Sequence, residues 1–305
     1  MAPSIKNVAL AGAQAGGNLG PSVLKELMNS NKFNITILTR KVGSQKFPSG
    51  VTIKEVDYDS LDSLTQALKG QDALINCIQT FDPKIATRMV DAAIAAGVYR
   101  YVPPDFGLDP ERAHVPSLPI FGLKTMTNQY LKQKATENDG KFTWTVIANG
   151  PFLDWGIRTS FMGVDVKNKK LSLFNDGENV VPYTMLADVG KAIVGMLLHP
   201  DETANRIVYI HSAVKSQKQL GALAQEAIGG SWETTTVDVD AIYANCMESI
   251  KKGIVTPEVM YPQLMYACSK KEFAQPFAKS DNELLGVKEM SDDELKALYK
   301  QIASE

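Results

Sequence analysis

A run of closely spaced glycines near the start of the chain is the first feature that could do chemistry. The segment 12–20 reads GAQAGGNLG; it follows a short apolar run and leads into a helix that begins near Pro21. Glycine lets the backbone approach a phosphate closely, and the start of a helix presents free N–H groups and a positive dipole. The turn therefore predicts a pyrophosphate site, with a tight turn that binds nothing as the alternative. The residues expected to contact the pyrophosphate are Gly12, Gly17, Asn18, Leu19 and Gly20.

The residues after the second predicted strand indicate which dinucleotide would bind. In Rossmann folds an acidic residue at this place bonds the ribose 2′-hydroxyl of NAD. Here Arg40 and Lys41 follow Thr39, and no carboxylate lies between Ile35 and Val42. Two cations suit a 2′-phosphate. Arg40 and Lys41 therefore predict NADP(H) as the cofactor, with a solvated basic loop as the alternative.

Strand-like and helix-like segments alternate through the first half of the chain and would position these residues. The predicted strands are NVALAG (7–12), NITILT (34–39), VTIKEV (51–56), ALINCI (73–78) and WTVIAN (144–149). Helical apolar stripes lie between them, one beginning after Ser60, a candidate N-cap, and one over about 84–96. This alternation predicts an α/β fold, a Rossmann-type doubly wound parallel sheet with helices on both faces.

The pattern changes in the second half and predicts a smaller C-terminal α+β part. LSLFNDGENVV resembles a hairpin that turns at Asp176-Gly177, and Ser291 and Glu294 have the spacing of a capping box at the start of the last helix. We expect an NADP(H)-binding Rossmann domain over 1–152.

The substrate-binding region is expected over 153–305. The segment of about 184–212 contains an amphipathic helix and is expected to return to the first domain. A ligand cleft between the two parts is the expected site for a small-molecule substrate.

Composition argues against several classes of protein. The chain has 305 residues, 44% hydrophobic side chains and a net charge of −2, so it can form a sizeable core and has no basic bias toward nucleic acid. No apolar run approaches the roughly 18 residues that span a bilayer, so no membrane partner is expected. Cys77, Cys246 and Cys268 lack metal-ligand or disulfide spacing, which favours a reducing, cytoplasmic location without a metal. The oligomeric state stays open.

Several motifs together give the chain a resemblance to a known family. They are GNLGP at 17–21, LTR at 38–40, YVPPDFG at 101–107, the run from His114 to Phe121-x-x-Lys124, ANGPF at 148–152 and DGENVVPYTMLADVGKAI at 176–193. Over most of its length the sequence resembles the NmrA-like and isoflavone-reductase-like atypical short-chain dehydrogenases, which include phenylcoumaran benzylic ether and pinoresinol–lariciresinol reductases. The resemblance implies an NADPH-dependent reductase in which Lys124 is the essential lysine.

The helical pattern around Lys124 agrees with this role in part. Lys124 lies at the margin of an apolar stripe, in line with Thr127 and Leu131, whereas Lys132 falls outside it. A lysine at such a margin could lie beside the nicotinamide as a general acid/base, or extend from the edge of the core into solvent. Ordinary short-chain dehydrogenases have a tyrosine four residues before the lysine. Because position 120 is Ile, Lys124 would act without it.

The resemblance also implies further site residues, because ligands of open parallel sheets bind at the carboxyl ends of the strands. Two departures from the family pattern stand out: the glycine turn is two residues longer than GxxGxxG, and Asp105 replaces the Glu of the plant SEFG motif. Further expected cofactor-binding residues are Gln79, Thr80, Lys124, Asn149 and Phe152. Expected substrate-pocket residues are Asp105, Phe106, His114, Asp154 and Trp155.

Three functions are compatible with these residues. The first is an NADPH-dependent reductase of a small aromatic or secondary-metabolite substrate. The second is an NADP(H)-bound isomerase or cyclase without net reduction, and the third is an NmrA-type NADP-sensing regulator without catalysis. The lysine at 124 favours an enzyme, since a sensor has no chemical need of it.

Overall fold

The expected alternation of strands and helices is present in the computed structural model, which describes residues 2–14, 17–40 and 46–305. Lys41, one of the two cations expected to bind a 2′-phosphate, lies outside the described residues. The strands are β1 (Asn7–Ala11), β2 (Asn34–Thr39), β3 (Thr52–Glu55), β4 (Ala73–Asn76), β5 (Arg100–Val102), β6 (Phe106–Gly107), β7 (Thr143–Ala148), β8 (Val164–Asp165), β9 (Lys170–Phe174), β10 (Val180–Tyr183), β11 (Arg206–Tyr209), β12 (Ala213–Ser216) and β13 (Glu233–Val237). The helices are α1 (Gly20–Ser30), α2 (Leu61–Leu68), α3 (Pro83–Ala95), α4 (Gly122–Glu137), α5 (Leu153–Arg158), α6 (Leu186–Leu198), α7 (Gln217–Ile228), α8 (Val239–Lys251), α9 (Pro257–Met260), α10 (Pro262–Ser269), α11 (Asn282–Leu285) and α12 (Asp292–Ser304).

One sheet of parallel strands forms the centre of the fold. Its order within the described residues is β11-β7-β5-β4-β1-β2-β3, and β6 lies beside β7. Val8 of β1 pairs with Ile35 on one side and with Ala73 on the other. The chain moves outward from the middle in both directions, so the strand order reverses between β1 and β4. This confirms the predicted doubly wound Rossmann-type sheet, and such sheets bind ligands at the reversal.

Helices cover both faces of the sheet because successive side chains of a buried strand point to opposite sides. Val8 and Leu10 of β1 join an apolar cluster with α1 and α6, whereas the alanines that alternate with them join a second cluster with α2, α3 and α4. α1 and α6 approach closely at Gly190, where an added Cβ would lie 2.8 Å from the side chain of Glu26. The segment 184–212 thus supplies α6, which packs on the sheet, and β11, which pairs with β7.

A third apolar cluster fills the smaller C-terminal part. It includes side chains of α5, α7, α10 and α12, of β8 and β9, and of the antiparallel pair formed by β10 and β12. The predicted helix starts are confirmed: Ser291 and Glu294 form the capping box of α12, and the Ser60 hydroxyl caps α2. In the described part of the chain, no helix is both long and apolar enough to cross a membrane.

The predicted hairpin at Asp176-Gly177 is wrong. The chain turns there, with Gly177 at a φ of 66°, but β9 pairs with β8 and β13 while β10 pairs with β12. The start of α7 takes the place of a partner strand, because the Gln217 side chain accepts from the N–H of Phe174 at 2.7 Å and donates to the carbonyl of Ser172 at 2.7 Å. A turn signal predicts the reversal of the chain but not the strand with which it pairs afterwards.

The amino end of β5 holds a fully buried cation. Arg100 has no exposed surface. Its guanidinium donates at 2.9 Å to 3.0 Å to the hydroxyls of Thr143, Thr145 and Thr203, and at 2.6 Å to the carbonyl of Pro200. Desolvation lowers the pKa of Arg100 to about 10, which leaves it charged at neutral pH. Arg100 therefore joins β5, β7 and the loop between α6 and β11 through neutral acceptors.

Candidate active site

A cleft of about 1510 Å³ lies along the carboxyl edge of the parallel sheet. Loops that follow the strands, together with α4, α5 and α10, form its walls. The predicted cofactor residues in these walls are Gly12, Gly17, Asn18, Leu19, Arg40, Gln79, Thr80, Lys124 and Phe152. The predicted substrate residues in these walls are Asp105, Phe106 and Trp155. One continuous cleft thus brings together most of the residues expected from the sequence.

The glycine turn forms one end of the cleft, and two of its glycines are required by packing. Gly12 has a φ of 86°, and a Cβ there would lie 2.8 Å from the backbone of Cys77. Gly20 lies outside the cleft wall. It packs tightly against the turn, since an added Cβ would collide with the carbonyl oxygen of Gly12. Gly17 and Asn18 do line the cleft, just before α1 begins. Their position beside a helix start suits an anionic group.

The residues after β2 and β3 lie at the same end. Arg40 is exposed and lines the cleft, as does Tyr58. The Tyr58 hydroxyl donates to the carbonyl of Leu38 at 3.2 Å. Burial raises the pKa of Tyr58 to about 12, opposed by the positive charge of Arg40. A cation beside an aromatic ring suits a nucleotide that carries an anionic group.

Gln79 and Thr80 follow β4 and line the middle of the cleft. The amide of Gln79 donates to the hydroxyl of Tyr261, between α9 and α10, at 3.0 Å. We call this Gln79–Tyr261 bond the clasp, because it joins two walls of the cleft. Sequence reasoning missed Tyr261, which lies 182 residues away along the chain in a segment without a recognisable motif.

Lys124 lies in the first turn of α4, over the loop that follows β5. Its Nζ is 3.4 Å from Oδ1 of Asp105; the side chains are 31% and 6% exposed. A Cβ added to Gly107 would lie 3.7 Å from the same Nζ, so the ammonium lies close over a glycine backbone. The expected placement of Lys124 at the margin of the helix's buried face is confirmed, since Thr127 and Leu131 are buried and Lys132 is exposed.

Asn128 is a further residue of this group that sequence reasoning missed. Its Nδ2 donates to Oδ2 of Asp105 at 2.5 Å, and it lines the cleft. Among the described residues, its buried Oδ1 has no hydrogen-bond partner. The spacing to Lys124 is four residues, which places both side chains on one face of α4. That spacing of two polar residues near an apolar stripe was the available signal.

An apolar wall lies beside the lysine. The centroid of the Phe121 ring is 5.8 Å from Lys124 Nζ, and the rings of Trp155 and Phe161 pack with centroids 5.3 Å apart. Ile120, at the position of the absent tyrosine, also lines the cleft. The apolar residues of this wall are Leu108, Ile120, Phe121, Leu123, Phe152, Trp155, Phe161, Met162 and Leu264.

Three further predicted residues lie outside the cleft wall. His114 lies in a separate, charged depression with Asp109, Arg112 and Lys271. Its ring packs edge-on against Phe273, with 6.0 Å between centroids, so it has a structural contact instead.

Asp154 and Asn149 are buried connectors. Asp154 accepts from the N–H of Leu186 at 3.0 Å and from Arg158, which links α5 to the start of α6. Asn149 donates from its side chain to the carbonyl of Gly150 at 2.7 Å and shapes the turn after β7. Both support the cleft from behind its surface.

The cysteines and acids do not form a metal site in the described ranges: no group of three or more His, Cys, Asp or Glu residues could hold an ion. Cys77, Cys246 and Cys268 are free thiols. Cys77 and Cys268 line the cleft, and burial raises the pKa of each to about 12. Neutral thiols of this kind are weak nucleophiles.

Comparison with known proteins identifies relatives along nearly the whole chain. The sequence profile of the NmrA-like family matches residues 6–302. The oxidoreductase poxI of Penicillium oxalicum is 32% identical over 300 residues, covering 96% of this chain and 94% of that protein. The isoflavone reductase homolog IRL of Zea mays is 27% identical over 209 residues, covering 66% of this chain and 65% of that protein.

A solved structure agrees with the fold. The binary complex of leucoanthocyanidin reductase and NADPH from Vitis vinifera superposes with a TM-score of 0.75 at 16% identity, covering 98% of this chain and 100% of that one. Identity at this level shows the Rossmann-type fold alone. The predicted enzyme class, oxidoreductase, is confirmed by the relative of Penicillium oxalicum. Because the family profile spans almost all residues and this relative is 32% identical over 96% of the chain, the chain belongs to the NmrA-like family.

Proposed function

We propose that the chain is an NADPH-dependent reductase of a small aromatic or secondary-metabolite substrate, with Lys124 as general acid/base. One observation carries this proposal: the Lys124 ammonium lies in the cleft, 3.4 Å from a buried carboxylate and beside an apolar wall. A lysine held inside a cleft next to apolar surface can meet a polar atom of a bound molecule in a region poor in water.

The residues at the other end of the cleft fit NADP(H). Gly12 and Gly17 keep the backbone free of side chains where a diphosphate would approach, and Gly12 has no room for a Cβ. Arg40 lies at the same end and can pair with a 2′-phosphate. The NADPH held by the leucoanthocyanidin reductase structure supports the same cofactor.

The chain's own residues supply the proton and the positioning. NADPH, when bound, supplies a hydride to the substrate. Lys124 then donates a proton to the substrate atom that gains negative charge, and its ammonium stabilises that charge before the transfer. The apolar wall around Phe121 and Trp155 holds a flat ring and excludes water.

Replacing Lys124 with Met tests this assignment. Met keeps much of the apolar stem and removes the ammonium, so α4 should stay folded. We expect turnover to fall at least about a hundredfold, the usual contribution of one positioned acid/base being on the order of 10²–10⁴. NADPH consumption with a panel of quinones, aromatic enones and aryl ketones gives the rate, and calorimetry gives the NADPH affinity, which should change only a few-fold.

Lys132→Met is the matched control, because Lys132 lies on the same helix but is exposed and paired with Glu111 at 2.8 Å. It should retain full turnover. Near-normal turnover of Lys124→Met would remove Lys124 from the mechanism. Tight NADPH binding by the unmodified protein without turnover of any compound would favour a sensor, and product formation without net NADPH consumption would favour an isomerase or cyclase.

The organisation of the chain is part of the proposal. We assign cofactor binding to 1–152, with the return of 184–212, and substrate binding to 153–305. The apolar cluster of the C-terminal part is separate from the two clusters on the sheet, and most of its members come from 153–305, which supports this division. Its members from 1–152 are Leu108, Val115, Leu118 and Phe121. The three free thiols support a cytoplasmic location, where cysteines stay reduced.

A further inference from the structure

We propose that Asp105 is a positioning residue that holds the Lys124 ammonium in place, and that Asn128 fixes the carboxylate of Asp105 for this task. The inference rests on the proposed function, because it concerns how Lys124 is presented to a substrate. It assigns a role to two residues that do not themselves transfer the proton.

Both the backbone and the side chain of Asp105 are held in place. The backbone N–H of Asp105 donates to the carbonyl of Pro103 at 2.8 Å, and the residue follows two consecutive prolines whose φ angles are restricted. Its Oδ2 accepts from Asn128 Nδ2 at 2.5 Å. Only 6% of the side chain is exposed, so it is not free to rotate in solvent. Oδ1 is thereby presented to Lys124.

α4 places the two partners of this carboxylate one helical turn apart. Lys124 and Asn128 are four residues apart and lie on one face of the helix. The Asn128 amide has one favourable orientation, because turning its oxygen toward Asp105 would oppose two acceptors. Its Oδ1, buried and unpartnered in the described part of the chain, then stays available to a donor of a bound molecule. A buried acceptor without a partner is unfavourable. The bond from Asn128 Nδ2 to Asp105 offsets this cost and keeps the amide in this orientation.

A lysine side chain needs such a partner to act at one place. Its four-carbon stem has about 2 kcal/mol of rotamer entropy, and without a partner the ammonium would sample many positions. The ion pair with Asp105 holds Nζ over Gly107, where a Cβ would lie 3.7 Å away. A misplacement of about 1 Å at a reacting group can cost about a hundredfold in rate. The position of Lys124 therefore depends on Asp105.

Asp105→Asn removes the charge and keeps the shape of the side chain. We expect kcat to fall about tenfold to a hundredfold, with KM for NADPH changed less than about threefold. Asp105→Glu restores the charge and should recover most of kcat. If Asp105 only stabilised the fold, both variants would lose thermal stability, and kcat would not depend on whether the carboxylate charge is present.

The deciding measurement is a double-mutant cycle with Lys124→Met. If Asp105 acts through Lys124, Asp105→Asn has no further effect on turnover once the ammonium is gone. An equal loss in both backgrounds would overturn the positioning role while leaving Lys124 as the acid/base. Full turnover of Lys124→Met alone would instead overturn the proposed function. Should Asp105→Asn fail to fold, Asn128→Leu is used in the same cycle, with the same outcomes.

A second readout needs no substrate. The ion pair at 3.4 Å holds the Nζ of Lys124 against Asp105, so Asp105→Asn should release this nitrogen and speed its acetylation by acetic anhydride several-fold, measured by peptide mass spectrometry. Lys134, which pairs with Glu137 farther along α4, is the internal control and should react at an unchanged rate. An unchanged rate at Lys124 would contradict the proposal.

Discussion

Two cations lie at opposite ends of β5. Arg100 begins this strand at the amino edge of the sheet, whereas Lys124 of α4 pairs with Asp105, which follows the strand at the carboxyl edge. Arg100 is fully buried, and its guanidinium donates to three hydroxyls and a carbonyl. Lys124 keeps 31% of its side chain exposed and pairs with a single carboxylate oxygen at 3.4 Å.

The difference shows what distinguishes a cation that stabilises the fold from one that can contact a bound molecule. The donors of Arg100 are engaged by the protein in a place that a substrate cannot enter. The ammonium of Lys124 has three donors, and the long contact to Asp105 leaves it open to the cleft. By burial alone, Arg100 would be the stronger candidate for a functional cation. Lys124 is the stronger candidate once access from the cleft and unused hydrogen-bond donors are considered.

The largest expected effect is on stability at the amino edge. Arg100→Ala leaves a cavity and an unpaired Pro200 carbonyl, so we expect the free energy of unfolding to fall by about 3 kcal/mol. Lys124→Met should change it by less than about 1 kcal/mol, because a partly exposed ion pair contributes little. Urea denaturation measures both. Equal losses in the two variants would erase the distinction between the two ends of β5.

Arg100→Met serves as the control for volume. It removes the desolvation cost of the guanidinium along with its bonds, so it should lose less stability than Arg100→Ala. Folded Arg100→Met should keep its turnover within about twofold, since no atom of Arg100 lines the cleft. A large loss of turnover in a folded protein would show that the amino edge influences the site.

Arg40 extends the comparison to a cation that is exposed and lies at the cleft. Arg40→Ala should leave the free energy of unfolding nearly unchanged, because the side chain is in solvent. It should reduce the preference for NADPH over NADH by tenfold to 150-fold, since a charge-assisted bond contributes about 1.5–3 kcal/mol. Calorimetry with both cofactors measures the ratio. Equal affinity of the unmodified protein for the two would refute the assignment of Arg40.

A last comparison concerns a cleft residue that burial keeps neutral, and its effect appears only at alkaline pH. Burial raises the pKa of the Cys268 thiol to about 12, so the folded state retains its proton at pH values where the unfolded thiol ionises. The contribution of this thiol to the free energy of unfolding is fully present below about pH 8.5. It decreases as pH rises toward 12, by up to about 1.4 kcal/mol per pH unit. The free energy of unfolding of Cys268→Ala should therefore decline less steeply between about pH 9 and 11. Parallel curves for the two proteins would contradict this.

Local patterns predicted the elements better than their partners. The alternation of apolar runs and helical stripes was sufficient for the parallel sheet, and Ser60 and Ser291 marked helix starts correctly. The hairpin at Asp176-Gly177 failed because Gln217, some forty residues later, occupies the edge of β9. Pairing of that kind depends on packing across long separations, which no local pattern contains.

The same limit applies within the site. Most of the residues predicted from the glycine turn and the family motifs line the cleft, and the spacing along α4 placed Lys124 at its edge. They did not separate residues on the surface of the cleft from residues behind it. Asn149 belongs to the motif ANGPF and Asp154 follows it, yet the Asp154 side chain bonds the N–H of Leu186 at the start of α6 and the Asn149 side chain bonds the carbonyl of Gly150 in its own turn. A motif identifies a neighbourhood, and side-chain direction within it depends on tertiary contacts.

The clasp between Gln79 and Tyr261 has a consequence for how quickly molecules enter and leave. It is a neutral, solvent-accessible hydrogen bond of 3.0 Å that joins two walls of the cleft. Such a bond contributes about 1 kcal/mol, so it is open for roughly one-sixth of the time. If a ligand can pass only while this bond is open, the bond slows ligand entry and release about six-fold at most. The clasp is therefore a small barrier to the entry and release of a ligand.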